Sequence, residues 1–334
     1  MVNARSRVVM LAVLALLALA VLSAAPLIGM SHIPLSAILS PGGGTESDIF
    51  WRFRVPRVAT SFLAGAALAV SGMAFQAMFR NPLATPFTLG VSSGASLGAA
   101  LYVLSGLQVA LLGVSGISIA AFAGALVSIV LVYGLTRAKK GLSTSTMLLA
   151  GVAVSFFFSS VILFIQYISD FTNTFIILRW IMGGLTTVGY DSVLDVLPFA
   201  LCGAAIVLYL THELNLMTTG EDLAASRGVN VKTTKQVLFF ATSLMVGGVV
   251  AICGPIGFVG MMSPHICRLL IGPDHRYLTP ATLLFGGVFL TFCDVLARTL
   301  IAPAEIPVGV ITALLGGPFF IWLLLSASAE RHLA

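Results

Sequence analysis

Arg54-Val55-Pro56-Arg57 opens a stretch that continues through Gly65-Ala66-Ala67-Leu68-Ala69-Val70-Ser71-Gly72 and closes at Asn81-Pro82-Leu83-Ala84-Thr85-Pro86. Between its two polar ends no charged residue occurs from Val58 to Phe79. An uncharged apolar run of about 20 residues is long enough to cross a bilayer as a helix. The stretch therefore reads as a membrane helix with two arginines at its head and a proline-punctuated corner at its foot. Pro82 and Pro86 forbid a continued helix. Asn81, Thr85 and Thr88 are then placed to satisfy the backbone groups set free there.

The rest of the chain is of the same kind. It is 58% hydrophobic and 9% charged, with a mean hydropathy of +1.07, where a soluble domain carries about 25% charged residues. So few charges do not cover a water-facing surface. The net charge of +5 does not point to nucleic acid, because the basic residues are scattered between apolar runs and form no patch. Cys202, Cys253, Cys267 and Cys293 sit singly in apolar segments. They match no zinc or redox spacing and read as small buried side chains.

Run length predicts an all-α, polytopic membrane protein of about ten transmembrane helices in a single domain, 1–334. The spans fall at roughly 8–28, 57–79, 88–106, 109–135, 144–167, 193–211, 234–253, 256–271, 281–301 and 307–326. The eighth carries Gly254-Pro255, Gly257, Gly260 and Pro264 and reads as short or broken. The 33 glycines suit close helix contacts in lipid. Arg5 and Arg7 before an apolar run, with Ala24-Ala25 beyond it, also have the outline of a signal peptide. A run of about 20 residues favours an uncleaved first span.

Ten spans put both termini on one side. Twelve of the seventeen lysines and arginines fall on that side, among them Arg5, Arg7, Arg80, Arg137, Lys139, Lys140, Arg268 and Arg276. Arg52, Arg54, Arg57, Arg179 and Arg298 fall on the other. By the positive-inside rule both termini are cytoplasmic. The outer arginines then need an explanation. Asp294 stands four residues before Arg298, and Glu46 and Asp48 stand close to Arg54, so local pairing is one reading. Snorkelling to the interface is a second.

The order of these motifs resembles the FecCD, or BtuC-like, permeases, which import iron chelates and cobalamin with ATP. The resemblance covers nearly the whole chain and implies the type II ABC importer permease architecture. It implies a homodimer with two ATP-binding subunits, fed by a periplasmic substrate-binding protein across a bacterial inner membrane. Arg54, Arg57 and Arg298 match arginines that receive acidic knobs of that binding protein, as bidentate guanidinium–carboxylate pairs.

The cytoplasmic segment at about 212–235 contains Gly220-Glu221-Asp222-Leu223-Ala224-Ala225-Ser226-Arg227-Gly228-Val229. Acids at the start of a short helix and a glycine at its end favour that helix. On pattern alone it is an interfacial connector. It resembles the family's coupling loop, which implies that Gly220, Glu221, Leu223, Ala224 and Gly228 meet the ATPase. Arg227 stands where the family usually has Leu. Asn81 and Leu83, with Thr144 and Ser145 of Leu142-Ser143-Thr144-Ser145-Thr146, match residues that close the pathway at its cytoplasmic end. Capping explains the same residues and is compatible with gating.

Gln76, Gln166, His265 and Asp294 lie in or near spans, where ionisable and polar groups draw functional attention. No second His or Cys stands at metal-ligand spacing, so no metal site is expected, and helix-connecting hydrogen bonds are the simpler role. Gly272-Pro273-Asp274-His275-Arg276 and Glu305-Ile306-Pro307-Val308-Gly309-Val310 resemble further family signatures and read as turns. The chain has no phosphate loop of the Gly-x-x-x-x-Gly-Lys-Ser/Thr type and so needs a separate ATPase; it binds no cofactor of its own. It also has no His-Glu-x-x-His or Gly-x-Ser-x-Gly motif, which argues against a membrane enzyme. An ion-driven secondary transporter would need intramembrane acids, and Asp294 is the one that lies well inside a span. The resemblance favours a ferric siderophore or haem as cargo, with cobalamin next.

Overall fold

The computed structural model describes residues 4–31, 33–39, 42–111, 113–138, 144–185 and 189–332. Apart from one short β-hairpin, the described regular elements are helical. The first span is α1 (Ala4–Ala24). Two short helices, α2 (Leu35–Leu39) and α3 (Thr45–Asp48), lead through a wide π-helical turn, Ile49–Arg54, into α4 (Val55–Phe79). Then come α5 (Val91–Ser105), the hairpin β1 (Ala110–Leu111) and β2 (Val114–Ser115), α6 (Gly116–Ala138) and α7 (Thr144–Ile168). After these follow α8 (Phe171–Ile181), α9 (Asp191–Tyr209), α10 (Thr211–Thr219) and α11 (Glu221–Ser226). The chain ends with α12 (Val231–Cys253), α13 (Val259–Ile271), α14 (His275–Thr299) and α15 (Val308–His332).

Among the described residues seven helices are long and apolar enough to cross a membrane, and α5, α13 and α15 are shorter apolar helices. Together they match the ten expected spans. The eighth is short, as expected, and several bounds differ, as where the ninth span begins at His275 rather than 281. The fourth span starts at Gly116 rather than 109, because Ala110 and Leu111 pair with Ser115 and Val114 in the hairpin. The eighth has only 13 helical residues, about 20 Å at 1.5 Å per residue, and its entry bends at Phe258, whose φ is +66°. The segment at 212–235 is no loop: α10 fills its first part, α11 its middle, and α12 already begins at Val231.

Helix α4 is the axis of the bundle. It packs against α9, α12, α13 and α14, and its apolar stretch is 83% buried where that of α1 is 17%. Small residues make this possible. A side-chain carbon added to Gly72 would overlap the Gly260 carbonyl of α13, and one added to Gly65 would overlap the Gly286 carbonyl of α14. In lipid no hydrophobic effect drives helices together, so such close backbone approach supplies the dispersion energy instead. Ser61 of α4 and Thr291 of α14 share a buried hydrogen bond of 3.0 Å. The outer faces of α1, α7 and α15 carry exposed apolar side chains such as Leu16, Phe156 and Trp322, as a lipid-facing or subunit-facing surface requires. Cys253, Cys267 and Cys293 are buried as expected, but Cys202 is exposed on α9.

Overpacking of this kind costs about 1–3 kcal/mol. Gly72→Val is therefore expected to lower the thermal unfolding midpoint in detergent. Gly134→Ala, where nothing stands within 4 Å of the added carbon, is expected to leave it unchanged.

Candidate functional site

The polar groups of the bundle gather at its two ends. At one end, helix α1 stops at a 3-10 turn, Ala25–Leu27, and its last carbonyls need donors. Arg54 supplies them. Its Nη1 donates to the Pro26 and Leu27 carbonyls at 3.2 and 3.3 Å, and its Nη2 to the Ser31 carbonyl and hydroxyl at 2.7 and 2.9 Å. Arg298 Nη2 donates to the Ala25 carbonyl at 2.8 Å. Both arginines are buried. In this conformation both are spent inside the chain, as caps of α1, and neither offers its guanidinium to a partner.

Arg57 is placed differently. Its Nε donates to Asp294 Oδ1 at 2.8 Å, and its Nη1 donates to both carboxylate oxygens of Glu305 at 2.9 and 3.0 Å. Asp294 is fully buried on α14, and Arg298 approaches its other oxygen at 3.4 Å, outside hydrogen-bond geometry. The expected partner of Asp294 was Arg298; the shorter, hydrogen-bonded partner is Arg57. Arg54 and Arg57 therefore take different partners, Arg54 at the end of α1 and Arg57 on α14 and Glu305. Glu305 is 41% exposed and Arg57 14%, so their pair reaches the surface.

A cavity of about 320 Å³ opens beside that pair. Its wall includes Arg57, Glu305, Phe175, Arg179, Trp180 and Leu185. Arg179 has no hydrogen-bond or ion-pair partner among the described residues. Helix α8, which carries it, was not expected from the sequence. The signal was Asp170, whose carboxylate caps the helix by accepting from Asn173 N at 2.7 Å.

At the other end, α4 closes on Arg80, which has a φ of +50°. Asn81 spends its side-chain oxygen on its own turn, accepting from Leu83 N at 2.9 Å, and Leu83 is 55% exposed. The capping reading thus describes what Asn81 does. The following turn, Pro86–Leu89, packs on α7, which Thr144 and Ser145 open. The side chains of Thr88 and Thr144, and residues Lys139, Lys140, Leu142 and Ser143, lie outside the described residues. Gln76 does join helices: it donates to the Gly260 and Met261 carbonyls at 3.4 and 3.3 Å and accepts from Arg268 at 3.1 Å. His265 does not fit that expectation, since its Nε2 is buried without a partner and its ring lies edge-on to Phe319. Gln166 accepts from Thr174 through its main-chain oxygen.

Helix α11 hangs between two glycines with positive φ, Gly220 at +135° and Gly228 at +87°, a conformation that favours glycine. Ala224 is buried and anchors it, while Leu223 is 55% exposed. The Glu221 carboxylate, expected to face a partner, accepts from the buried Lys235 of α12 at 2.6 Å. Arg227 is exposed.

The FecCD transport family profile matches residues 10–326. The chain belongs to the FecCD transport family. Among relatives, the hemin transport system permease protein HmuU of Yersinia pestis is 38% identical over 292 residues, 86% of this chain and 87% of that protein. The vitamin B12 import system permease protein BtuC of Salmonella typhi is 40% identical over 294 residues, 87% and 88% of the two chains. These relatives are named as transport permeases and not as enzymes. A solved inward-facing structure assigned to the metal-chelate type of ABC transporter superposes with a TM-score of 0.83 at 31% identity, covering 95% of this chain and 98% of that one. As a FecCD member the chain is a multi-pass membrane permease, and its all-α architecture is that of the ABC permeases.

Removing one partner of a buried ion pair leaves an uncompensated charge and costs about 3–5 kcal/mol. Asp294→Ala strands Arg57 and Arg298 together and is expected to abolish recovery of folded protein from detergent. Glu305→Ala, at the exposed rim, is expected to leave recovery intact. Size-exclusion chromatography of the two variants distinguishes them.

Proposed function

We propose that this chain is the membrane permease of an ATP-driven importer for a metal chelate, acting as a homodimer. The observation that carries this reading is α11. A short helix held between left-handed glycines, with an exposed leucine and a buried alanine at its root, suits docking into a cleft of a separate ATPase. Gly220, Glu221, Leu223, Ala224 and Gly228 build that element, the last two by anchoring and ending it. The chain itself binds no cofactor, and ATP is used by the partner subunit. The Lys and Arg bias supports a cytoplasmic location for α11 and both termini, and an inner-membrane location for the whole.

The opposite end then faces the periplasm and a substrate-binding protein. Arg57 is the docking residue with a guanidinium near the surface, and an acidic knob would compete with Glu305 for it. Arg54 and Arg298 support that rim by fixing α1. Asn81, Leu83, Thr144 and Ser145 narrow the cytoplasmic end of the pathway, which opens to one side at a time. The burial of Asp294 between two arginines weighs against an ion-driven transporter, since that acid is not free to bind an ion.

For the cargo, the cavity beside Arg57 supports an iron chelate such as a ferric siderophore or haem. Its unpaired Arg179 and its aromatic wall, Phe175 and Trp180, complement an anionic, largely apolar molecule. The similarity to BtuC supports cobalamin as the second reading. The test is affinity capture of tagged protein from native membranes, with identification of co-purified subunits and metal analysis. An ATPase and a binding protein loaded with iron are expected; cobalt would favour cobalamin. A permease that purifies without any nucleotide-binding partner would contradict the importer reading.

A further inference from the structure

Helix α11 is tied to the bundle on both sides. Towards the C-terminus, the Glu221–Lys235 pair joins it to α12. Towards the N-terminus it continues from α10, which is no free connector. Leu214 and Met217 of α10 are buried, and Asn215 between them grips the start of α14 with both ends of its amide. Its Nδ2 donates to Asp274 Oδ1 at 2.9 Å, and its Oδ1 accepts from His275 N at 2.8 Å, with His275 Nδ1 at 2.9 Å from the same oxygen.

Asp274 extends the tie. It caps α14 by accepting from Arg276 N at 3.1 Å, and it takes the Arg276 guanidinium at 2.9 and 3.2 Å. It also pairs with Arg7 of α1 at 3.5 Å, and Arg7 in turn lies over the Tyr277 ring. The Arg276 bonds, with those from Asn215, hold the Asp274 carboxyl down to about 2. The carboxylate therefore stays charged throughout the physiological range, and the contact persists there.

The chemistry of the tie matters. Apolar helix faces slide past one another at little cost. An amide that both donates and accepts, with a charged partner, fixes direction and register. We propose that Asn215 and Asp274 form a positioning pin that makes α10, the first turn of α14 and the first turn of α1 move as one body with α11. The proposal rests on α11 being the ATPase contact. A displacement of α11 then reaches α12 through Glu221–Lys235, and α14 and α1 through Asn215–Asp274, so that one short helix drives both sides of the bundle.

The test uses the complete transporter, permease with its ATPase and binding protein, in vesicles. Cys202, Cys253, Cys267 and Cys293 are first replaced by serine or alanine, and uptake and ATP hydrolysis are measured together. Asn215→Ala is expected to leave hydrolysis within about twofold while uptake per ATP falls about tenfold, the size of a typical coupling loss. The pair Asn215→Cys and Asp274→Cys replaces the pin with a bond under redox control. Reduced, it is expected to behave like Asn215→Ala; oxidised, it is expected to regain uptake, which also shows that the variant folds. Arrest of uptake on oxidation would overturn the proposal, because α10 and α14 would then have to separate in the cycle. Wild-type uptake in Asn215→Ala would overturn it too. Failure of the unmodified transporter to take up cargo with ATP would instead overturn the importer reading beneath it.

Discussion

The structure depends on one constraint: α4 must run through the centre of a bundle in which no water is available. In hydrocarbon every polar group has to be satisfied within the protein. Along its middle α4 meets this by carrying little that is polar and much that is small. Gly65 and Gly72 let α14 and α13 approach to backbone contact. Two of its polar groups are paired across helices, Ser61 with Thr291 and Gln76 with the irregular entry of α13, while the buried hydroxyls of Thr60 and Ser71 have no partner among the described residues. The break in α13 and the glutamine on α4 thus belong together: one leaves carbonyls exposed and the other supplies the donor.

Charge is confined to the ends of the bundle, and each end gathers around one acid, buried at Asp294 and half-buried at Asp274. Asp294 organises Arg57 and Arg298 at one end, and Asp274 gathers Arg7, Arg276 and Asn215 at the other. Asp294 lies on α14 and Asp274 caps its start, and α14 is the helix that packs along α4. The same pair of helices therefore carries the bundle's core contact and its two polar clusters. Groups near the surface include Glu305 with Arg57, Arg179 in the cavity beside them, Leu223 on α11 and Arg227 just after it.

The membrane class and the ten helices were legible because apolar length in lipid is a strong, local signal. The hairpin at 110–115 was not, since Ala110, Leu111 and Val114 are as apolar as a span and differ only in pairing. Helix α8 was missed because its 11 residues are too few to register as a span. Helix α11 was legible in its glycines, Gly220 and Gly228, which mark its two ends. The contacts of the arginines were not: Arg54 and Arg57 are three apart in sequence, but Arg54 closes the π-helical turn and bonds the end of α1, while Arg57 stands in α4 and bonds Asp294 and Glu305. The partner of Asp294 came from α4, hundreds of positions away, rather than from four residues along its own helix. His265 lacks the hydrogen bond its type predicts, and the structure gives no physical account of it.

The account's central claim is that force on α11 from a separate ATPase moves cargo through this bundle. The most direct measurement is uptake of an iron chelate by vesicles containing the permease, its ATPase and its binding protein, with ATP supplied on the ATPase side. The account predicts uptake that requires hydrolysable ATP and persists when proton and sodium gradients are collapsed. Uptake that follows an ion gradient and ignores ATP would contradict it.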